Sequence, residues 1–180
     1  PLVYGDWNCG ADALTAIRVG RAVADLDIML EQPCATIPEC AHVAHATGLP
    51  MKLDESARDT ASMLEGHAAG CMQAAALKLS KMGGVSRMRR LRDLCLSLGT
   101  QMCIEDTWGS DITTACVLHL AAATPARGIM NTCDLSHYVG PRLDPNGPSR
   151  TNGRIAPPEG PGLGIVVNTD ALGPVAQVYE

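Results

Sequence analysis

Residues 28–54 read IMLEQPCATIPECAHVAHATGLPMKLD and contain a complete strand–helix–strand unit. The apolar runs at 28–30 and 50–53 predict two strands. Between them, Thr36 and Glu39 form the capping-box pattern that begins a helix, which we expect to run to about Thr47. Apart from Lys52, both strands are apolar, as strands are when they are buried on both faces of a parallel sheet covered by helices.

The same unit repeats on both sides of this stretch. We predict further strands at 2–5, 74–77, 102–104 and 128–133, and further helices at 11–26, 60–67, 86–98 and 110–123. Six strands alternating with helices predict an α/β fold, a (β/α) barrel of the TIM type. A closed barrel of eight strands needs about 250 residues, so the 180 residues here predict an incomplete one.

The composition changes to Pro, Gly and Asn beyond residue 140. We therefore divide the chain into a barrel portion, 1–139, which carries the candidate site, and a C-terminal tail, 140–180. The tail is expected to pack on the barrel or on a cap domain, with one further strand at 165–168.

Charge and cysteine usage exclude several classes of function. The net charge is −5 and no long run of Lys or Arg occurs, which disfavours nucleic acid and anionic membranes as partners. No apolar stretch reaches the ~20 residues of a membrane span. The eight cysteines include no C-x-x-C pair, which favours free, buried thiols in a cytoplasmic protein over disulfides or a zinc site.

One polar residue stands at the end of each predicted strand, arriving about every 25 residues along the chain. In order these residues are Asp6, Glu31, Asp54, Lys78, Glu105 and Asn131. Consecutive strand ends of a (β/α) barrel meet on one face, where active sites are built. Residues far apart in the sequence are therefore expected to share one pocket.

The first three of these residues, Asp6, Glu31 and Asp54, predict a metal site. Neighbouring carboxylates repel one another, and a divalent cation relieves the repulsion. Ligation by oxygen alone suits Mg²⁺, or Mn²⁺, more than zinc. A single acidic residue after a strand, such as Asp54, is more often a helix N-cap. Three in series followed by a lysine favour a site.

Lys78, at the end of the next strand, is the predicted general base. A bound cation and partial burial would both lower its pKa and favour the neutral amine that a base requires. Lys81 is expected to lie in a loop and to be solvated. Trp108, in the loop after the fifth strand, is either a core residue or a wall of the pocket.

Seven motifs together resemble the enolase superfamily, within it the mandelate racemase and muconate-lactonizing group: GDWN, LEQPC, KLDES, LKLSKMGG, EDTWGSD, NTCDLSHY and PGLGI. The resemblance implies that the chain provides strands three to eight of the barrel. It implies that Asp6, Glu31 and Asp54 are the Mg²⁺ ligands and that Lys78 is the base on strand six. Enolase-superfamily sites use such a Lys with Mg²⁺ to stabilise an ene-diolate.

Members of this family also have an N-terminal cap domain and a K-x-K motif with a second catalytic lysine, and neither occurs in these 180 residues. The resemblance therefore implies a fragment, a homo-oligomer, or an assembly in which other polypeptide completes the barrel. On its own the chain is expected to be of doubtful activity.

Within the group, the motifs are most similar to cis-3-hydroxy-L-proline dehydratases and hydroxyproline-betaine epimerases. This similarity implies a small carboxylate substrate, an imino or amino acid. Glu105, with the ring face of Trp108, would hold its cationic nitrogen. Asp106 and Asn131 complete the predicted substrate-binding set. The sequence does not decide between dehydration and epimerisation, and dehydration is the outcome that we favour.

Two hypotheses from other classes compete with this one. In the first, Lys78 forms a Schiff base with a carbonyl substrate or pyridoxal phosphate, although residues 136–138 do not form a phosphate-binding glycine loop. In the second, the chain is a truncated barrel without catalytic function.

Overall fold

Six parallel strands form one sheet whose order follows the chain. The computed structural model describes residues 3–106, 109–138, 140, 142–175 and 177–178. The strands are β1 (Val3–Asp6), β2 (Ile28–Glu31), β3 (Met51–Leu53), β4 (Ala74–Lys78), β5 (Gln101–Glu105) and β6 (Ile129–Thr132). The helices are α1 (Ala13–Ala22), α2 (Ile37–Thr47), α3 (Thr60–Ala68), α4 (Leu79–Met82), α5 (Val85–Leu98) and α6 (Asp111–Ala122). The predicted α/β architecture with a parallel sheet is confirmed.

Local sequence signals set most of the helix boundaries. The hydroxyl of Thr36 accepts the Glu39 N–H, and the Glu39 carboxylate accepts the Thr36 N–H, as the capping box predicts. Gly48 ends the same helix in the left-handed conformation, with φ of 72°. Two predictions were wrong. The residues after Lys78 form the short helix α4 rather than a loop, and 165–168 is not a strand.

The core lies between the sheet and the helices. On β5, Met102 and Ile104 are completely buried against helix residues such as Met88. Cys103 and Glu105 alternate with them and therefore face the interior of the barrel. The alternation gives each strand one apolar face for the core and one face for the candidate site.

The sheet is curled, so its two outermost strands approach each other. The side-chain amide of Asn131 on β6 donates to the hydroxyl of Tyr4 on β1 at 3.3 Å. In the described part of the chain, β1 and β6 each pair along one edge. Their residues are half-buried or exposed, whereas those of β3 are buried throughout. The arrangement is an incomplete barrel with two open edges.

The C-terminal tail is held at the start of α6 by Asp111. One carboxylate oxygen of Asp111 lies 2.7 Å from the guanidinium of Arg142. The other accepts the N–H groups of Leu143 and Asp144 at 2.9 and 3.1 Å. These contacts pack residues 142–144 of the tail against the start of α6. The division of the chain at residue 140 stays a prediction.

None of the described helices combines the length and apolar character needed to cross a membrane.

Candidate active site at the strand ends

The structure brings the predicted residues that end the strands to the carboxyl edge of the sheet. Asp6 lies beside Glu31 in the register of β1 and β2. Lys78 lies beside Glu105 in the register of β4 and β5. Asp54 follows β3, between these two pairs. The spacing seen in the sequence therefore corresponds to one row of side chains along the edge.

Glu31 forms a buried ion pair with Lys52. The Lys52 amine lies 2.9 Å from a carboxylate oxygen of Glu31 and 3.9 Å from one of Glu105. It also lies 4.4 Å from the centre of the Tyr4 ring, and Lys52 is only 1% exposed. Lys52 was not among the site residues predicted from the sequence. The signal was available, because a residue two before Asp54 on a strand points to the same face.

The pKa of Glu31 shows how closely the carboxylates are placed. Burial raises the pKa of Glu31 to about 7, although the charge of Lys52 opposes the rise. The negative charges of Asp6 and Asp54 add to the rise. Glu31 therefore experiences the repulsion from neighbouring carboxylates that a divalent cation would relieve.

Asp54 is held by two lysines. One of its oxygens lies 2.5 Å from the Lys78 amine and the other 2.8 Å from the Lys81 amine. Burial acts to raise the pKa of Asp54, but the two lysines outweigh it and the pKa is lowered. Lys78, the predicted base, thus lies in direct contact with a predicted metal ligand.

Lys81 is not the solvated loop residue that the sequence analysis expected. It lies in α4, where its amine also donates to the backbone carbonyls of Asp54 and Ala76. The turn of α4 folds the side chain back over the end of the strand. Burial lowers the pKa of Lys81, and the nearby charge of Lys78 contributes to the lowering while Asp54 opposes it.

The chain's own groups do not lower the pKa of Lys78. Burial acts to lower it, but the hydrogen bond and charge of Asp54 prevail and raise it. The expected lowering of the Lys78 pKa rested on a bound cation and on partial burial together, and in the chain alone burial is outweighed by Asp54.

The three predicted ligands fit Mg²⁺ in chemistry. In the structure each of these carboxylates contacts a cation or an amide. Asp6 accepts hydrogen bonds from the Asn8 side chain. Glu31 pairs with Lys52, and Asp54 pairs with two lysines. Their oxygen atoms do not all lie within 4.8 Å of one another. Binding one ion therefore requires side-chain rotation away from these partners. The assignment as ligands stays a prediction.

The predicted substrate residues have different surroundings. Glu105 is buried at the end of β5. The carboxylate of Asp106 accepts the N–H and hydroxyl of Ser80, two residues after Lys78. The side-chain oxygen of Asn131 is buried and, among the described residues, has no hydrogen-bond donor. Trp108 lies outside the described residues. The substrate-binding roles of all four stay predictions.

Comparison with known proteins identifies relatives along nearly the whole chain. The family described as "Enolase C-terminal domain-like" matches residues 2–171. A cis-3-hydroxy-L-proline dehydratase from Roseibium aggregatum is 40% identical over 98% of this chain and 48% of its own length.

Two solved structures from Roseovarius nubinhibens are similar in fold. A mandelate racemase/muconate lactonizing enzyme has a TM-score of 0.92 and 35% identity, covering 98% of this chain and 48% of the other. An enolase-superfamily member complexed with magnesium has a TM-score of 0.93 and 32% identity, covering 99% and 49%. The chain thus spans about half the length of the relatives it matches.

Proposed function

The chain belongs to the enolase superfamily, within the mandelate racemase and muconate-lactonizing group, and on this premise we propose that it takes part in removing the α-proton of a small carboxylate. Relatives in the group are dehydratases and racemases by description, which makes a lyase or an isomerase the class of enzyme. The observation that carries the proposal is the amine of Lys78, 2.5 Å from Asp54 at the strand ends and near Glu105.

Each residue has a defined part in the proposed reaction. Lys78 accepts the α-proton at its amine nitrogen. Asp54 contacts that amine before it turns to the metal, and Asp106 fixes the segment after Lys78 through Ser80. Glu105 offers a buried negative charge to a cationic nitrogen of the substrate. Asp6, Glu31 and Asp54 would hold Mg²⁺, or Mn²⁺ in its place, and the cation would supply positive charge to offset the negative charge that develops on the substrate carboxylate.

The substrate we propose is cis-3-hydroxy-L-proline or a close imino acid. The 40% identity to a dehydratase of this compound supports the choice. Loss of the 3-hydroxyl after proton removal gives dehydration. Return of a proton to the opposite face gives epimerisation, which would need a second acid on that face, such as the K-x-K lysine that these 180 residues lack.

Proton exchange in deuterated water tests the proposal. The full-length protein is incubated with Mg²⁺ and cis-3-hydroxy-L-proline, and NMR follows both deuterium at Cα and formation of product. Lys78→Met should slow the exchange by ~10²–10⁴, the contribution of a general base. The control is Arg18→Met, which removes a cation from an exposed position on α1 and should leave the rate unchanged.

Two outcomes would count against it. Exchange by Lys78→Met at the wild-type rate would exclude Lys78 as the base. Borohydride trapping of substrate on Lys78 would favour the Schiff-base alternative.

Eight free thiols favour the cytoplasm as the compartment of this protein, and we propose that location.

We further propose that the outer edges of β1 and β6 pair with additional polypeptide, either in a homo-oligomer or in one longer chain, because open strand edges invite pairing. Native mass spectrometry of the full-length protein would give its mass and oligomeric state. A monomer of 18.9 kDa would argue against both forms of assembly.

A further inference from the structure

Two cysteines and a glutamate converge inside the barrel. The sulfur atoms of Cys103 and Cys133 and a carboxylate oxygen of Glu105 all lie within 4.8 Å of one another. Among the residues described, this is the one set of three or more such donors that meets this distance. Cys103 and Glu105 are buried and Cys133 is half-buried.

The fold, rather than sequence spacing, brings these donors together. Cys103 and Glu105 alternate on β5 and face the interior. Cys103 lies beside Asn131 in the register of β5 and β6. Cys133, two residues beyond Asn131, therefore lies level with Glu105 on the neighbouring strand. Cys133 and burial raise the pKa of the Cys103 thiol, so a bound cation would have to displace its proton.

The donor set suits a soft cation. In a tetrahedral zinc site, sulfur lies ~2.3 Å and carboxylate oxygen ~2.0–2.2 Å from the metal, so small side-chain movements would bring the three donors to bonding distance. Two thiolates and one carboxylate around a divalent cation leave one negative charge. The amine of Lys52, 3.9 Å from a Glu105 oxygen, offsets part of it, a charge that Lys52 shares with Glu31.

We propose that Cys103, Cys133 and Glu105 bind one thiophilic divalent cation, Zn²⁺ or Cd²⁺, through donors other than the predicted Mg²⁺ ligands, and that Glu105 is then unavailable to the substrate. Both thiols release their protons to solvent and each sulfur forms one bond to the metal, so no oxidant or reductant is needed. Three protein ligands leave a fourth position for water, as in open zinc sites. Soft sulfur donors select against Mg²⁺, which prefers oxygen.

Titration with Cd²⁺ tests the proposal directly, because thiolate-to-cadmium charge transfer absorbs in the ultraviolet. The full-length protein is titrated in excess Mg²⁺ to keep the oxygen ligands occupied. One equivalent of Cd²⁺ should bind with the absorbance of two thiolates. Cys133→Ser should weaken this binding at least ~100-fold, because loss of even an outer-shell partner costs about 10–100-fold. Glu105→Gln should weaken it without removing the thiolate absorption.

Cys9→Ser is the matched control, since Cys9 is also half-buried but is not one of the three donors. It should bind Cd²⁺ as the wild type does. Cys133 is the first choice for substitution because Cys103 is fully buried and its replacement could impair folding. The proposal would be overturned if the wild type gave no charge-transfer band. It would also be overturned if Cys133→Ser gave the same band with unchanged affinity for Cd²⁺. Neither outcome bears on proton exchange at Lys78.

Discussion

Replacement of Lys52 by methionine removes a cation from the interior of the barrel. Its amine lies 2.9 Å from Glu31 and 3.9 Å from Glu105, and both carboxylates are buried. Removal of one partner of a buried ion pair leaves an uncompensated charge and costs about 3–5 kcal/mol. Lys52→Met should therefore lower the free energy of unfolding by this amount above neutral pH.

The cost should depend on pH in a predictable direction. Burial raises the pKa of Glu31 to about 7, so the protonated form contributes stability that is lost as the pH rises towards 7. In the wild type, this loss of stability ends near pH 7, where Glu31 is ionised beside Lys52. Without Lys52 the pKa of Glu31 rises further, so stability continues to fall above pH 7. The difference in the free energy of unfolding between wild type and Lys52→Met should therefore widen above pH 7, by up to about 1.4 kcal/mol per pH unit.

Urea denaturation of the full-length protein at pH 6 and pH 8.5, with chelator present, measures both effects. Arg18→Met, at an exposed position on α1, should stay within about 0.5 kcal/mol of wild type. The double variant Glu31→Gln with Lys52→Met should recover part of the loss, because neutral replacement of both partners is often tolerated. The reasoning would be refuted if Lys52→Met lowered the free energy of unfolding by less than about 1 kcal/mol at pH 8.5, or by the same amount at both pH values.

Two further predictions concern metal affinity and the tail. Because the pKa of Glu31 is about 7, Mg²⁺ must displace a proton below that pH. Its affinity should fall by up to about tenfold per pH unit, and calorimetry that shows no change from pH 6 to 8 would contradict the role of Glu31. Asp111→Ala removes the partner of Arg142 and of two tail N–H groups. It should weaken tail docking by about 1–3 kcal/mol and speed proteolysis within 142–168, and an unchanged cleavage pattern would show that other contacts hold the tail.

The sequence alone determined the architecture and predicted where the candidate site lies. Six apolar runs separated by helical stretches predicted six parallel strands, and the structure contains them in that order. The polar residues that end these runs, such as Glu31 and Lys78, were found because strand ends recur regularly and meet on one face. Family motifs then assigned the chemistry. These signals are local or periodic, so they can be seen without the fold.

Only the tertiary structure decided how the charged and sulfur-bearing side chains pair. Lys81 was expected to be solvated, but the turn of α4 returns its amine to Asp54. Lys52 lies within an apolar run, and its ion pair with Glu31 depends on the packing of neighbouring strands. Cys103 and Cys133 show no metal-binding spacing and meet through the register of β5 and β6. Such contacts depend on distances across the barrel, which residue spacing along the chain does not specify.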